Sequence, residues 1–375
     1  MTSILINSLA KGGAERQVSL LCQNYSVKSL YLLENKISYS TGSVRVSPFF
    51  KTKHPVLLAT LLIPYYAWLF SRTIEKDETV LSFLNRCNFI NILSRFFKKH
   101  RVIISVRTCL SRQCSTGLRR LQRPFIRLLY RFPDLIVANS KGIREDLIKE
   151  FKVHPDKVRV LYNGIDEQQF SKLVFEETPK DYEDIFRKKC VLMVGRFTKE
   201  KRHFSVLRAF HKLGNPDLNL VFIGTGPLEK KCRDYVQNHQ LSSVYFLGQQ
   251  DNPLMFMSRS FCLVLASDRE GFPNVLLEAF FSGLPVIATD CLTGPRELLV
   301  SDSENGGGVE NGILIPVSLF DTLQLETDII HAIQKFLSDS VFYEQCRSNT
   351  KERVKAFYLA PILKQWRLFL EGVSS

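Results

Sequence analysis

Residues 261–280 read FCLVLASDREGFPNVLLEAF and join three local patterns in one stretch. The first seven residues are apolar and predict a buried strand, the polar loop predicts a turn, and the next apolar run predicts a helix. Pro273 suits the first helical position, because its fixed φ fits a helix and it has no N–H to leave unpaired. The amides of Asn274, Val275 and Leu276 then point out of the helix N-terminus, where phosphate groups bind.

Two glutamates, eight positions apart, bracket the start of this helix. Glu270 lies in the loop, and Glu278 lies more than one turn inside the helix. Carboxylates do not suit phosphates, but they accept hydrogen bonds from hydroxyls, as the acidic residue of dinucleotide-binding folds does with ribose. The pattern predicts a sugar, a phosphate and a ribose in a row. A solvated Glu278 is the alternative, and it would be favoured if this motif stood alone.

Two further loops carry groups that suit a pyrophosphate. VGRFTKEK places Arg196 and Lys201 five positions apart after a predicted strand, so both can reach one pyrophosphate. IGTGPL places Gly224 and Gly226 after another predicted strand, where glycine permits close backbone approach. Each motif alone is weak, because paired basic residues are often ordinary surface charge.

A third glycine pair follows the first apolar run of the chain. LAKGGAERQ leaves the backbone open at Gly12 and Gly13, at the start of a helix whose amides would meet a phosphate. Neither glycine loop of the chain has the GxGxxG spacing, and no acidic residue stands about 20 positions later as a ribose partner. The sequence therefore excludes a nicotinamide dehydrogenase.

Apolar runs alternate with helical patterns along the chain, which is typical of α/β proteins. The predicted strands are 4–9, 79–84, 101–106, 135–140, 158–165, 190–197, 218–224, 244–248, 261–267, 285–290 and 312–317. The polar stretch 176–184 suits a linker. We expect two Rossmann-like, doubly wound domains facing each other across a cleft, spanning 1–180 and 181–348. The pattern allows the helical segment 349–375 to cross back to the first domain.

The positive charge belongs to the first half of the chain. Residues 1–180 contain 29 Lys and Arg against 14 Asp and Glu, whereas the remainder has 22 against 23. Part of the excess lies in LRRLQRPFIRLLYRF (118–132), a helical pattern that interleaves arginines with apolar residues. Such a surface attracts anionic lipid or pyrophosphates, and a solvated helix is the alternative. No zinc-finger, RNA-binding or helix-turn-helix pattern is present, so no nucleic-acid partner is expected.

The longest apolar stretch, VLLATLLIPYYAWLF (56–70), is shorter than the roughly 20 residues that span a bilayer, and Pro64 interrupts it. It predicts a buried helix, with a helix at the membrane interface as the alternative, holding Tyr65, Tyr66 and Trp68 at headgroup level. The nine cysteines are scattered singly, and no signal peptide is visible at the N-terminus. We therefore expect free thiols and a cytoplasmic location.

Taken together, the motifs resemble those of the retaining glycosyltransferases of the GT-B fold, in the large family 4, or group 1, that uses nucleotide-sugar donors. The resemblance rests on GGAER, YNGID, VGR with Lys201, GTGPL, EGFPNVLLEA and GLPVIATD, which follow one another in family order over nearly the whole chain. SFLNRCN, TDCLTGPREL and NGILIPV resemble the subgroup that builds O-antigen, capsule and protein-glycan intermediates on polyprenyl pyrophosphate.

The resemblance implies a role for each matching residue. Arg196 and Lys201 would neutralise the donor pyrophosphate as the sugar–phosphate bond breaks, and Glu270 would bind hydroxyls of the donor sugar. The implied donor-binding residues are Gly12, Gly13, Gly224, Gly226, Asn274, Val275, Leu276 and Glu278. Transfer would follow a front-face route in which the leaving phosphate takes the acceptor proton. No metal and no cofactor are expected, because two cations and a helix N-terminus meet the charge.

The sequence departs from many relatives on the acceptor side, where they carry a histidine at a strand end of the first domain. Here the corresponding strand, RVIISV, continues into Arg107. Arg16, Arg86 and Arg107 follow strand ends and are candidates for an acceptor pyrophosphate. Ordinary basic surface, or internal ion pairing, is the alternative for all three.

These observations predict a glycosyltransferase at the inner face of the cell membrane. It would move a hexose or N-acetylhexosamine from a UDP-sugar to a saccharide linked to polyprenyl pyrophosphate, in surface polysaccharide or glycan assembly. The alternatives are a non-lipid acceptor, a UDP-sugar epimerase, or a non-catalytic nucleotide-sugar-binding protein on the same fold.

Overall fold

The computed structural model describes residues 1–10, 12–48, 61–115, 117–301, 309–317 and 321–372. The strands are β1 Thr2–Ile6, β2 Val27–Leu32, β3 Arg45–Pro48, β4 Thr79–Phe83, β5 Arg101–Val106, β6 Leu135–Ala138, β7 Val158–Val160, β8 Lys189–Val194, β9 Leu218–Ile223, β10 Val244–Phe246, β11 Cys262–Leu265, β12 Val286–Thr289, β13 Val300–Ser301, β14 Val309–Glu310 and β15 Gly312–Ile315.

The α-helices are α1 Gly13–Asn24, α2 Ile63–Ser71, α3 Asn85–Ser94, α4 Leu110–Gln113, α5 Gln122–Leu129, α6 Lys141–Phe151, α7 Glu167–Val174, α8 Lys180–Glu183, α9 His203–Leu213, α10 Glu229–Asn238, α11 Leu254–Met257, α12 Asn274–Phe281, α13 Pro295–Leu299, α14 Thr322–Ser338, α15 Ser340–Val354 and α16 Leu359–Glu371. Short 3₁₀ turns lie at Gly117–Leu121, Pro155–Lys157, Asp184–Arg187, Lys199–Lys201 and Lys355–Phe357.

The chain divides into two compact units. Unit 1 comprises Met1–Gly164 and Leu359–Ser375, and unit 2 comprises Ile165–Tyr358. The first boundary lies earlier than the predicted linker, because α7 packs on unit 2, where Phe170 meets Phe281 edge-on at 5.3 Å. The second boundary lies later than residue 348, because α15 belongs to the unit 2 core.

Unit 1 is built on a seven-stranded sheet in the order β3-β2-β1-β4-β5-β6-β7, and every pairing in it is parallel. Helices α2, α3, α5 and α6 bury their apolar residues in one cluster on this sheet. Helices α1 and α16 contribute to a second cluster, which contains Ile362, Trp366 and Leu370. The strand order reverses between β1 and β4, and ligands bind at the carboxyl ends of strands beside such a reversal.

Unit 2 is built on a six-stranded parallel sheet in the order β10-β9-β8-β11-β12-β15, with its reversal between β8 and β11. Its main core joins this sheet to α9, α14 and α15. Strands β13 and β14 form a separate antiparallel pair. Two Rossmann-like α/β domains are therefore present, and the predicted fold class is confirmed.

The apolar stretch 56–70 lies partly outside the described residues, but its second half forms α2. Tyr66 is 4% exposed and belongs to the core, as a buried helix requires, so the alternative that set it with Tyr65 and Trp68 at a membrane interface does not apply to Tyr66. Pro64 lies in the first turn of α2, where proline is tolerated. Within the described ranges, no helix has the length and apolar character needed to cross a membrane.

Candidate active site

The loops after β8 and β11 bring two of the predicted catalytic residues together. Lys201 Nζ lies 2.5 Å from Glu270 Oε1, and both side chains are half-buried. The two residues are 69 positions apart in sequence. They meet because β8 and β11 are neighbours in the sheet and the ligand-binding loops follow their carboxyl ends.

A second ion pair fixes the same two loops. Arg202 Nε donates to Asp268 Oδ1 at 2.7 Å, and the Asp268 N–H donates to the Glu200 carbonyl at 2.8 Å. Sequence reasoning missed Arg202 and Asp268, because charged residues in loops give no sign of their partners. The pair holds the loop that presents Glu270, and so it supports the site without needing to contact a ligand.

The loop after β12 also braces Glu270. The Thr293 hydroxyl donates to the Glu270 carbonyl. Gly294 has φ +94°, and a Cβ there would lie 2.8 Å from the Pro273 ring and 2.9 Å from the Gly271 carbonyl. Only glycine fits this backbone and this approach. The TGP stretch of TDCLTGPREL was the signal that could have identified this contact.

Helix α12 begins one residue later than predicted. Pro273 is its N-cap, with an extended ψ of 105°, so Asn274 is the first helical residue. The backbone N–H of Leu276 donates to the Pro273 carbonyl at 3.0 Å. The N–H groups at the start of a helix have no acceptor inside it, and Asn274 and Val275 occupy those positions here. The first turn of α12 therefore lies close to the place where the sequence predicts an anion-binding helix start, and the Leu276 N–H already has a partner within that turn.

Arg196 and Glu278 are accessible to different degrees. The Arg196 side chain is exposed, and among the described residues no carboxylate forms a salt bridge with it. Glu278 is half-buried within α12. The unit 2 site therefore combines an exposed cation, a half-buried ion pair and a helix N-terminus.

Gly224 and Gly226 allow a close backbone approach between two loops of unit 2. A Cβ on Gly224 would collide with the Gly195 carbonyl, and a Cβ on Gly226 would lie 2.7 Å from both the N and the O of Phe197. The Phe197 N–H also donates to the Thr225 carbonyl at 3.0 Å. These glycines let the loop after β9 pack closely on the loop that carries Arg196. This packing helps to position the Arg196 loop.

In unit 1, a carboxylate of the chain itself lies beside the predicted phosphate-binding helix start. Gly12 is the N-cap of α1 and Gly13 its first residue. Gly12 has an extended φ of −171°, and a Cβ there would run into the Glu15 carboxylate. Burial raises the pKa of Glu15, while a hydrogen bond from its own backbone and the charge of Arg107 oppose the shift. Sequence reasoning missed Glu15.

Arg107 is fixed at the carboxyl end of β5. Its guanidinium donates to the Asn163 side chain and to Ser105 Oγ, the latter at 3.0 Å, and it lies 5.1 Å from the centroid of the Phe83 ring. Burial lowers the pKa of Arg107, and the Glu15 carboxylate opposes this. The guanidinium still stays charged at neutral pH. Arg107 is thus a pre-positioned cation with a negative neighbour.

The other two acceptor-side candidates lie on helices that follow strands. Arg16 is half-buried on α1, and Arg86 is half-buried in the first turn of α3. Leu84, directly before α3, has φ +72°, a strained value for a residue with a side chain. Such strain collects at functional sites. It is consistent with a functional role for the loop that carries Arg86.

Potential metal ligands are scattered in the described part of the chain. In the described part of the chain, no group of three or more His, Cys, Asp or Glu side chains is placed to hold a metal ion. All nine cysteines lie in the described ranges, where they are buried and form no disulfide. Burial raises the pKa of several of these thiols, including Cys22, Cys190 and Cys291, each to about 12. These thiols are therefore protonated packing groups.

Two parallel Rossmann-like domains, with charged loops at the strand ends of the second, define the GT-B class of glycosyltransferase. Comparison with known proteins agrees. The model of glycosyl transferases group 1 matches residues 174–353, and the model of glycosyltransferase family 4 matches residues 4–169. The chain belongs to this family of glycosyltransferases.

Two relatives from Campylobacter jejuni match over nearly their full lengths. One, an N-acetylgalactosamine-N,N'-diacetylbacillosaminyl-diphospho-undecaprenol 4-alpha-N-acetylgalactosaminyltransferase, is 33% identical over 98% of this chain and 99% of its own. The other, an alpha-1,4-N-acetyl-D-galactosaminyltransferase acting on a diNAcBac-PP-undecaprenol glycan, is 24% identical over 100% and 99%. Anabaena HepE, solved with UDP and glucose, shares the fold with a TM-score of 0.77 and 17% identity, over 99% of both chains.

Proposed function

We propose that this glycosyltransferase moves an N-acetylhexosamine or hexose from a UDP-sugar to a saccharide linked to polyprenyl pyrophosphate, with retention of configuration. The observation that carries the proposal is the 33% identity, over nearly the whole of both chains, to a transferase named for a diphospho-undecaprenol acceptor. The proposed setting is surface polysaccharide or glycan assembly, at the cytoplasmic face of the cell membrane.

On the donor side, the proposal assigns the pyrophosphate to Arg196, Lys201 and the first turn of α12. The leaving diphosphate gains negative charge as the sugar–phosphate bond breaks, and fixed cations and amides stabilise that charge. The ion pair with Glu270 holds the Lys201 ammonium in place before the donor arrives. Because these groups meet the charge, we propose that no metal ion takes part.

Glu270 can accept hydrogen bonds in addition to its ion pair with Lys201. A carboxylate has about four acceptor positions, so pairing with Lys201 leaves some for hydroxyls of the donor sugar. Glu278, deeper in α12, would accept from the ribose hydroxyls. We assign neither glutamate as a nucleophile, and the leaving phosphate takes the proton of the acceptor hydroxyl in the proposed front-face route.

On the acceptor side, the proposal assigns the lipid pyrophosphate to the basic groups at the strand ends of unit 1, foremost Arg107. Its hydrogen bonds to Asn163 and Ser105 fix the guanidinium before any ligand binds. Guanidinium groups bind phosphates through two parallel hydrogen bonds. Arg16 and Arg86 are the further candidates.

Calorimetry with UDP, GDP and ADP, with and without added metal, tests the donor assignment. We expect selective, metal-independent binding of UDP, weakened in Arg196→Ala and Glu278→Ala. Lys199→Ala is the matched control, because Lys199 is an exposed cation in the same loop. Metal-dependent binding, or equal affinity in all three variants, would contradict the assignment.

Transfer assays test the acceptor assignment. Arg107→Ala should lose turnover with a polyprenyl-pyrophosphate saccharide while keeping wild-type affinity for UDP. Arg144→Ala is the control, since Arg144 is a cation of unit 1 that contacts the Val158 carbonyl away from β5. Unchanged turnover in Arg107→Ala would remove Arg107 from the acceptor site. Nuclear magnetic resonance of the product tests retention through the anomeric configuration.

A further inference from the structure

Two histidines of unit 2 lie side by side at the ends of two helices that pack together. His211 is in the last turn of α9, and His239 directly follows α10. The centroids of their rings are 5.0 Å apart, with an interplanar angle of 67°. His211 is half-buried and His239 is exposed, so the pair is within reach of solvent.

The histidine pair lies away from the donor loops. Helix α9 begins beside the loop of Lys201, at the carboxyl ends of the strands. From His203 at its start, α9 covers about 12 Å before it reaches His211, at a rise of about 1.5 Å per residue. The loop 214–217 then leads into β9 at Leu218. His211 is therefore near the amino ends of the strands, at the opposite edge of the sheet.

Tyr235 orients both imidazole rings. Its hydroxyl oxygen lies 2.9 Å from His211 Nδ1, and its backbone carbonyl oxygen lies 2.9 Å from His239 Nδ1. Its ring also stacks on the ring of His239, with centroids 4.0 Å apart. One tyrosine therefore engages the Nδ1 atom of each histidine and leaves the Nε2 atom of each for another partner.

These hydrogen bonds decide which ring nitrogen has a free lone pair. A carbonyl oxygen only accepts hydrogen bonds, so Nδ1 of His239 carries the proton and Nε2 carries the lone pair. The Tyr235 hydroxyl can accept as well as donate, so His211 can adopt the same tautomer. Histidines that bind metal ions donate their other ring N–H to a carbonyl, a carboxylate or water, which fixes the ring and makes the ligating nitrogen more basic.

The distance between the two rings suits a shared metal ion. A bond from zinc to an imidazole nitrogen is about 2.0–2.1 Å long, so at a tetrahedral angle two such rings have centroids about 5 Å apart. The observed separation of 5.0 Å agrees with this value. An edge contact between two aromatic rings without any metal is the alternative, because it gives a similar distance.

There is space beside His211 for the other ligands of an ion. A cavity of about 220 Å³ is lined by His211, Asn215, Gln240 and Ser242, among other residues. It has room for several waters, each of which occupies about 30 Å³ in the liquid. Gln240, directly after His239, has φ +51°, a strained value for a residue with a side chain. Such strain collects at functional sites and ligand clamps.

We propose that His211 and His239 bind one divalent transition-metal ion through their Nε2 atoms, with water in the remaining coordination positions. Imidazole suits zinc, copper and nickel, whereas magnesium and calcium prefer oxygen ligands. Within the described residues, no third His, Cys, Asp or Glu side chain is placed to join the pair. The ion connects the ends of α9 and α10. It goes beyond the proposed function, because it lies at the edge of the sheet opposite to the donor loops.

Titration calorimetry of the untagged, full-length protein with zinc chloride tests the proposal, with magnesium chloride as the comparison. We expect one zinc ion per chain and no binding of magnesium at the same concentrations. His211→Gln and His239→Gln should each weaken zinc binding by at least about tenfold, because one of the two protein ligands is lost. Tyr235→Phe keeps the stacked ring but removes the hydroxyl that orients His211, and it should weaken zinc binding roughly tenfold.

His331→Gln is the matched control, because His331 is another exposed histidine of unit 2. It should bind zinc as the wild type does. Circular dichroism without zinc should be the same for all variants, which separates loss of the ion from loss of the fold. X-ray absorption spectroscopy of the bound zinc should show two imidazoles and otherwise oxygen ligands.

Three results would overturn the proposal: no saturable zinc binding by the wild type, wild-type affinity in His211→Gln or His239→Gln, or sulfur among the ligands of the zinc. None of these measurements involves a nucleotide sugar or an acceptor. Failure of this proposal is therefore distinguishable from failure of the proposed transferase function.

Discussion

The two units share an architecture, but they differ in how their basic side chains are paired with carboxylates. In unit 2 one of the two cations of the predicted site, Lys201, is paired within the unit, with Glu270 at 2.5 Å. In unit 1, exposed arginines such as Arg119 and Arg120 have no carboxylate partner in the described part of the chain. Internal pairing fixes charges at defined points, which suits a small ligand. Unpaired charges on a broad surface suit an extended partner.

The units also differ in whether one continuous segment of the chain forms them. Unit 2 is one continuous segment, whereas unit 1 takes its last helix from the far end of the chain. Trp366 of α16 is 2% exposed and lies 6.3 Å from the ring of Phe83. The stability of unit 1 therefore depends on a segment that is remote in sequence, and that of unit 2 does not.

The largest expected effect is a loss of folding stability that distinguishes the core of unit 1 from the core of unit 2. Trp366→Ala should lower the free energy of unfolding of unit 1 by about 3–5 kcal/mol, because a large buried side chain is lost from its core. Urea unfolding followed by hydrogen exchange would resolve the units. Phe336→Ala, which removes a buried ring from the unit 2 core, is the control and should destabilise unit 2 instead. If both variants weakened the same unit, the division of the chain would be wrong.

The next effect concerns the paired site of unit 2. Lys201→Ala should lower turnover by roughly 100- to 1000-fold, the usual loss when one fixed stabiliser of transition-state charge is removed. Steady-state kinetics on the identified donor would measure it, with Lys199→Ala as the control. A loss of less than about tenfold would mean that Arg196 and the start of α12 stabilise the transition-state charge sufficiently without Lys201.

A pH effect of intermediate size is confined to unit 2. Burial lowers the pKa of His203 to about 4. A histidine held neutral contributes stability above its unfolded pKa, and this contribution is lost as the pH falls towards the folded pKa. From about pH 7 to about pH 5, unit 2 should lose about 2 kcal/mol through His203.

His203→Phe, which keeps a ring against Phe197, should remove this part of the pH dependence in denaturation curves. His239, an exposed histidine of unit 2, supplies the control variant His239→Phe. An unchanged slope against pH in His203→Phe would show that other groups carry the effect.

The smallest expected effect is the loss of a helix cap, and it tests the position of the first boundary between the two units. Asp166 caps α7 by accepting from the N–H groups of Gln168 and Gln169 at 3.0 Å, and Ser140 caps α6 by accepting from Ile143 at 3.2 Å. Replacing either cap with alanine should cost about 1 kcal/mol. Asp166→Ala should weaken unit 2 and Ser140→Ala unit 1, as hydrogen exchange would show. Weakening of unit 1 by Asp166→Ala would place the boundary after α7.

Much of the fold could be predicted, because most strands of both sheets are buried runs of apolar residues. The sequence missed β2 and β3 for identifiable reasons. VKSLYL is interrupted by Lys28 and Ser29, and the edge strand RVSP has no buried residue to give it an apolar pattern. The first boundary differs from the predicted one, because Phe170, the buried ring that packs α7 on unit 2, lies before the polar stretch.

The candidate site could be predicted in its members but not in its contacts. Lys201 and Glu270 were identified from separate motifs, yet their ion pair depends on the adjacency of β8 and β11. The roles of Gly224 and Gly226 depend on a loop about 30 positions away, which local glycine spacing does not reveal. Buried contacts between distant loops are a product of the sheet order, and no short motif records them.

The return of α16 to unit 1 has a consequence for the order of events during synthesis. A ribosome completes all of unit 2 before it makes Leu359, so the nascent chain holds unit 1 with Ile362, Trp366 and Leu370 missing from its core. Domains fold as units during synthesis, and the inserted unit has all of its sequence first. Unit 2 is therefore the part that can finish folding first, and unit 1 is completed only after α16 has emerged from the ribosome. Nascent unit 1 exposes the apolar residues that α16 later covers, and this interval is when the chain most needs a chaperone.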